Sequence, residues 1–141
     1  MGDDLHLRTR AWLAKAHRDL RSAKILAATV NPLFDTAIYH CQQAAEKSVK
    51  AFLNHQGAPV QKTHDVTRLA GNASELQAGF DLLLDDAALL SPLATSFRYP
   101  DESDWLAPLE PSRAEFDEAL AATRRIYDFV LSVLPPETHP A

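Results

Sequence analysis

His40, Gln43, Lys47 and Lys50 recur at steps of three and four residues, so a helix aligns them in one stripe with Thr36 and Asn54 at its ends. The lysines supply positive charge, His40 and Gln43 supply directional hydrogen bonds, and Tyr39 at the edge offers a stacking ring. That combination suits an anion in a lined groove. Two lysines beside a histidine disfavour a metal cation, so no metal site is expected here. The plainer alternative is a polar bundle face that hydrogen-bonds to the first helix or to the loops. Two further candidates lie downstream. His64 precedes Asp65, which reads as a helix cap, and the histidine either bonds locally or points toward the groove. Arg98-Tyr99-Pro100 offers a loop arginine for phosphate and a tyrosine that can stack or accept a group. Its plain alternative pairs Arg98 with Glu46 or a loop acid while Tyr99 packs on the bundle.

Other chemistries lack their signatures. The chain has four glycines and one cysteine, with no phosphate-binding glycine loop, nucleophile elbow or HExxH zinc motif. Cys41 falls on the apolar side of its helix and reads as a buried thiol. Asp85-Asp86 and Asp101-Glu102 read as solvated acids. No cofactor is called for.

The chain has 141 residues, 46% hydrophobic and 23% charged, which fits a single domain able to bury one core. A net charge of −5 argues against a protein that coats nucleic acid, while leaving room for a local basic groove. Met1-Gly2-Asp3-Asp4 has no apolar core and does not read as a signal peptide. The apolar runs are too short for a membrane span. The expectation is a cytoplasmic protein in a reducing compartment, with no membrane contact.

Alanine and leucine dominate and strand-like alternation is absent, so the fold class is all-α, an up-and-down bundle of four to five helices. The pattern predicts helices over about 7–28, 32–55, a short stretch after Asp65, 80–95, and from Ser112 to Leu134. Asn31 would cap the second helix with Pro32 at its first position, and Gly57 would stop it. Its apolar arc holds Phe34, Ile38, Cys41, Ala45, Val49 and Phe52, flanked by Ala37, Ala44 and Ala51 for close helix approach. Gly71-Asn72 would break or weaken the third helix. Ser112-Arg113-Ala114-Glu115 reads as a capping box. The last helix would place Phe116, Leu120, Thr123, Tyr127, Val130 and Leu134 on one face. The span 97–110 reads as the main irregular segment. Residues 1–141 form one domain in this reading, with a core over about 7–134 and a frayed tail over 135–141.

Several of these residues together resemble the small HEPN-domain proteins of prokaryotes. The resemblance rests on Asp19-Leu20-x-x-Ala23, on Tyr39-His40-x-Gln42-Gln43-Ala44-Ala45-Glu46-Lys47-x-x-Lys50-Ala51, and on Lys62-Thr63-His64-Asp65 followed by Arg98-Tyr99-Pro100. It implies a helical bundle that forms a homodimer and associates with nucleotides or RNA. It also implies a minimal nucleotidyltransferase as partner, in some cases as a toxin–antitoxin pair. Ligand-binding residues under this reading are Tyr39, His40, Gln43, Lys47, Lys50, His64, Arg98 and Tyr99. Many members are metal-independent ribonucleases with an Arg, a polar residue, a spacer and a His near the last helix. Here Arg98 is followed by Tyr99-Pro100, and no histidine comes until His139. The favoured expectation is therefore a non-catalytic binding module. Its alternatives are a ribonuclease with a diverged site using His64, and a substrate of nucleotidyl transfer at Tyr99.

Overall fold

The computed structural model describes residues 2–59, 61–99 and 110–141. Five α-helices run in the order α1 (Gly2–Ala27), α2 (Phe34–His55), α3 (Val66–Ser74), α4 (Leu84–Leu90) and α5 (Arg113–Val133). Short 3-10 turns at Ala78–Leu83 and Ser91–Ala94 flank α4, and another at Pro136–Thr138 follows α5. No strand occurs among the described residues.

The α1 and α2 helices form the central antiparallel pair. His6 near the start of α1 stacks on His55 at the end of α2, with centroids 5.8 Å apart, and Asn54 donates to Thr9 at 3.0 Å. At the other end Arg113 of α5 donates to the Ala27 carbonyl at 3.0 Å and covers the Phe34 ring. That guanidinium satisfies one of the orphan acceptors ending α1. Ala37, Ala44 and Ala51 are fully buried, as close helix packing demands. The α5 helix crosses α2 where Thr123 donates to the Cys41 carbonyl at 2.9 Å.

Local signals set most boundaries. Ser112 and Glu115 form the reciprocal capping box of α5, and Asp65 accepts from the Arg68 amide to open α3. Gly57 stops α2 with a φ of 78°, a conformation that favours glycine. Several expectations need correction. The α1 helix begins at Gly2 rather than Leu7, helped by Asp3 and Asp4 at its positive end. The cap of α2 is Leu33, not Asn31, because the Leu33 amide turns back to the Leu26 carbonyl at 3.1 Å. Gly71-Asn72 does not break α3. Burial of Val66, Leu69, Ala70 and Ala73 outweighs a glycine cost of about 1 kcal/mol. The single helix expected over 80–95 is three pieces, and Pro92 lies within the second 3-10 turn. Its expected face still holds, since Leu83, Ala87, Leu90 and Ala94 are all buried. Within α5, Leu120 is only half-buried. The tail is docked rather than frayed: Thr138 is fully buried, and His139 lies 2.9 Å from the Leu131 carbonyl at the end of α5. Pro100, Asp101, Glu102 and most of the irregular segment fall outside the described residues.

Phe80 ties the 3-10 turn to the core, 4.8 Å from Phe52 and 4.9 Å from Phe129 by ring centroids. Beside it, a Cβ at Gly79 would lie 2.4 Å from the Phe129 ring. Gly79→Ala is expected to cost about 1–3 kcal/mol by displacing that ring from Phe80, read as a lowered urea midpoint with an unchanged slope. A midpoint equal to wild type would show that Phe129 swings aside freely.

Candidate functional site

The polar stripe of α2 faces α1 and the loop before α3 rather than an open groove. Asp19, in the buried row of α1, holds His40 Nδ1 at 2.8 Å and Lys47 Nζ at 2.6 Å. Glu46, only 3% exposed, holds Lys50 Nζ at 3.0 Å and His64 Nδ1 at 2.9 Å. Gln42 also donates to Glu46 Oε1 at 3.2 Å and to the His64 carbonyl at 3.0 Å, fixing the loop before α3. Gln43 donates to Gln42 at 2.7 Å. Buried carboxylates require such partners, because an unpaired charge away from water is costly. Gln43 and Lys50 are therefore largely sealed, and the expected open groove over the whole stripe is corrected to an interhelical network.

The carboxylates also fix the histidine tautomers. A carboxylate only accepts, so His40 and His64 each present a protonated Nδ1 to Asp19 and Glu46. Each leaves Nε2 without a hydrogen-bond partner among the described residues. The His64 side chain is largely exposed, but it does not line the cleft that contains His40.

That cleft has a volume of about 380 Å3 and is lined by Asp35, Thr36, Tyr39, His40, Phe97 and Arg98. The Arg98 guanidinium lies 4.0 Å from the centre of the Tyr39 ring, well within cation–π range. His40 meets Tyr39 edge-on, with centroids 5.6 Å apart. Phe97 has a φ of 66°, a strained left-handed conformation for a residue with a side chain. The geometry thus gathers Tyr39, His40 and Arg98 and leaves Gln43, Lys47, Lys50 and His64 in the networks behind and beside them. Tyr99 is 73% exposed, so it does not pack on the bundle. Arg98 makes no ion pair among the described residues, and Glu46 is engaged elsewhere.

Chemically, the cleft offers a guanidinium for phosphate, an imidazole nitrogen, and the Asp35 carboxylate and Thr36 hydroxyl for sugar hydroxyls or amines. Sequence reasoning missed Asp35 and Phe97 at the cleft, the role of Asp19 behind His40, and that of Glu46 in the network with Lys50 and His64. Signals existed: Asp35 lies four residues before Tyr39, and Asp19 sits in line with Ala16 and Ala23 on the buried side of α1. Asp86, expected to be solvated, instead accepts two bonds from Arg125 at 2.9 and 2.8 Å. No group of three or more His, Cys, Asp or Glu side chains is arranged to hold a metal among the described residues. No helix among them is long and apolar enough to cross a membrane.

Comparison with known proteins completes the picture. A family model described as the HEPN domain matches residues 9–133. The fold is similar to that of ST0689, described as an archaeal HEPN homologue, at 28% identity and a TM-score of 0.69, covering 88% of this chain and 95% of that one. It is also similar to TT1696 from Thermus thermophilus, at 29% identity and a TM-score of 0.77, covering 90% and 98% of the two chains. No curated protein matches the chain.

Proposed function

The chain belongs to the HEPN-domain family, and from that premise we propose a non-catalytic module that binds a nucleotide or an RNA end at the Tyr39–His40–Arg98 cleft. One observation carries this reading: an exposed guanidinium stacked on an aromatic ring at the mouth of a cleft that also holds an oriented histidine. Such a guanidinium can grip phosphate bidentately while the cleft receives sugar or base. Asp19 and Glu46 act from behind by fixing α2 and the two imidazoles. In this reading the protein works as a homodimer beside a minimal nucleotidyltransferase, in a toxin–antitoxin pair. Native mass spectrometry of protein purified gently from its own cells tests the assembly, and a bare monomer would sink it.

The site itself is tested by titrating UMP and single-stranded oligo(U) into wild type and Arg98→Ala. Loss of a charge-assisted contact worth about 1.5–3 kcal/mol should weaken binding by about 10- to 100-fold. Unchanged affinity for both probes would refute the cleft.

A second reading is favoured by the exposure of Tyr99 beside Arg98. A partner nucleotidyltransferase could join the Tyr99 oxygen to the α-phosphorus of a nucleoside triphosphate, releasing pyrophosphate and the phenolic proton. The expected result is an added nucleotidyl mass on wild type and none on Tyr99→Phe. The same adduct on both proteins would exclude Tyr99 as acceptor.

A further inference from the structure

We infer that the flank of α1 around Trp12, at its seam with α2, is a base-stacking subsite, so that the ligand is a single-stranded oligonucleotide running between this slot and the Tyr39–Arg98 cleft. This deepens the nucleotide or RNA reading above and rests on it. A shallow depression of about 320 Å3 is lined by Arg8, Ala11, Trp12 and Lys15. Trp12 is half-buried, and Lys50 Nζ from α2 lies 5.8 Å from its ring centroid, which anchors the indole. Arg8 and Lys15 are exposed and make no ion pair among the described residues.

The slot places two cations beside its ring on a chain that is acidic as a whole. Arg8 and Lys15 lie seven residues apart and so share the Trp12 side of α1, with Asp4 one turn before Arg8 as the acid on that side. The protein as a whole has a net charge of −5. Cations flanking an aromatic slot are the chemistry of sequence-tolerant single-strand binding, in which the cations meet phosphates and the ring receives a base. The geometry also connects the two sites. Asp19, which holds His40 of the cleft, lies seven residues beyond Trp12. Seven residues are nearly two turns, so both sit on the same side of α1, about 10 Å apart along its axis.

The test measures a fluorescein-labelled short oligo(U) by anisotropy and unlabelled UMP by calorimetry. Trp12→Ala should weaken the oligonucleotide by about tenfold and leave UMP unchanged, while Trp12→Phe restores most of the loss. Arg8→Ala with Lys15→Ala, both exposed, should lower the slope of log affinity against log salt by about 1.4, and decides the matter if Trp12→Ala unfolds. If Trp12→Ala and the double variant bind the strand as wild type does while Arg98→Ala weakens both probes, the slot is wrong and the cleft stands. If wild type binds UMP but gains nothing from the longer strand, the slot is likewise overturned. Loss of a dimer in Trp12→Ala would assign the face to a second copy instead and overturn the proposal.

Discussion

Glu46→Ala should destabilise the protein by about 3–5 kcal/mol, because it strands a buried cation. The Lys50 side chain is 8% exposed and that of Glu46 is 4%, so neither charge is solvated by water when its partner goes. The same change frees His64 and removes an acceptor of Gln42. Set against a total stability of about 5–15 kcal/mol for a domain, this lowers the melting midpoint by about 10–20 °C. Asp19→Ala gives the internal contrast. Its partners are more exposed, at 24% for Lys47 and 26% for His40, so they can rehydrate. Its expected cost is smaller, about 1–2 kcal/mol. Glu46→Leu combined with Lys50→Met should recover part of the Glu46→Ala loss, since an apolar pair of similar shape needs no partner. Urea melts of the four proteins decide the point. A Glu46→Ala protein within about 1 kcal/mol of wild type would mean that Lys50 swings out to water and the buried pair carries little stability.

The same two carboxylates explain where sequence reading succeeded and where it stopped. Periodicity reports an angle around a helix, and it placed Ile38, Cys41, Ala45, Val49 and Phe52 of α2 in the core. It does not report which neighbour covers the opposite side. Asp19 and the loop at His64 come from elsewhere in the chain and close over most of the polar stripe, so residues that read as a groove lining became a network. Boundaries followed the same division. Asp65, Gly57 and Ser112 act through bonds or dihedrals within a few residues and were legible. The Leu33 start of α2 and the docked tail depend on carbonyls at Leu26 and Leu131, which no local spacing announces. The pieces over Ala78–Leu83 and Leu84–Leu90 bury the face expected of one helix, because 3-10 and α geometry place similar spacings on a common side over so short a span. At the cleft, Tyr39 with His40 came from one helix, whereas their meeting with Arg98 required the chain to return through 97–99 with Phe97 left-handed.

Cys41 should make the protein lose stability in alkali. The thiol is fully buried beneath α5, and burial pushes its pKa from 9.0 up to about 12. Below pH 9 the thiol is protonated in both folded and unfolded chains and favours neither. Between about pH 9 and 12 the unfolded chain releases a proton that the folded chain retains, so stability falls by about 1.4 kcal/mol per pH unit. The full loss approaches about 4 kcal/mol. Tyr127, whose pKa is also raised chiefly by burial, adds a loss of the same sign above pH 10. The contribution of Cys41 is therefore the difference between wild type and Cys41→Ala, measured as urea midpoints from pH 8 to 11. Cys41→Ala should show a roughly constant offset up to pH 9 and a shallower alkaline decline beyond it. Parallel declines would refute the assignment. At pH 8, labelling of the wild-type thiol by a disulfide reagent should track unfolding of the α2–α5 contact, since only an opened chain both exposes the sulfur and restores its ordinary acidity.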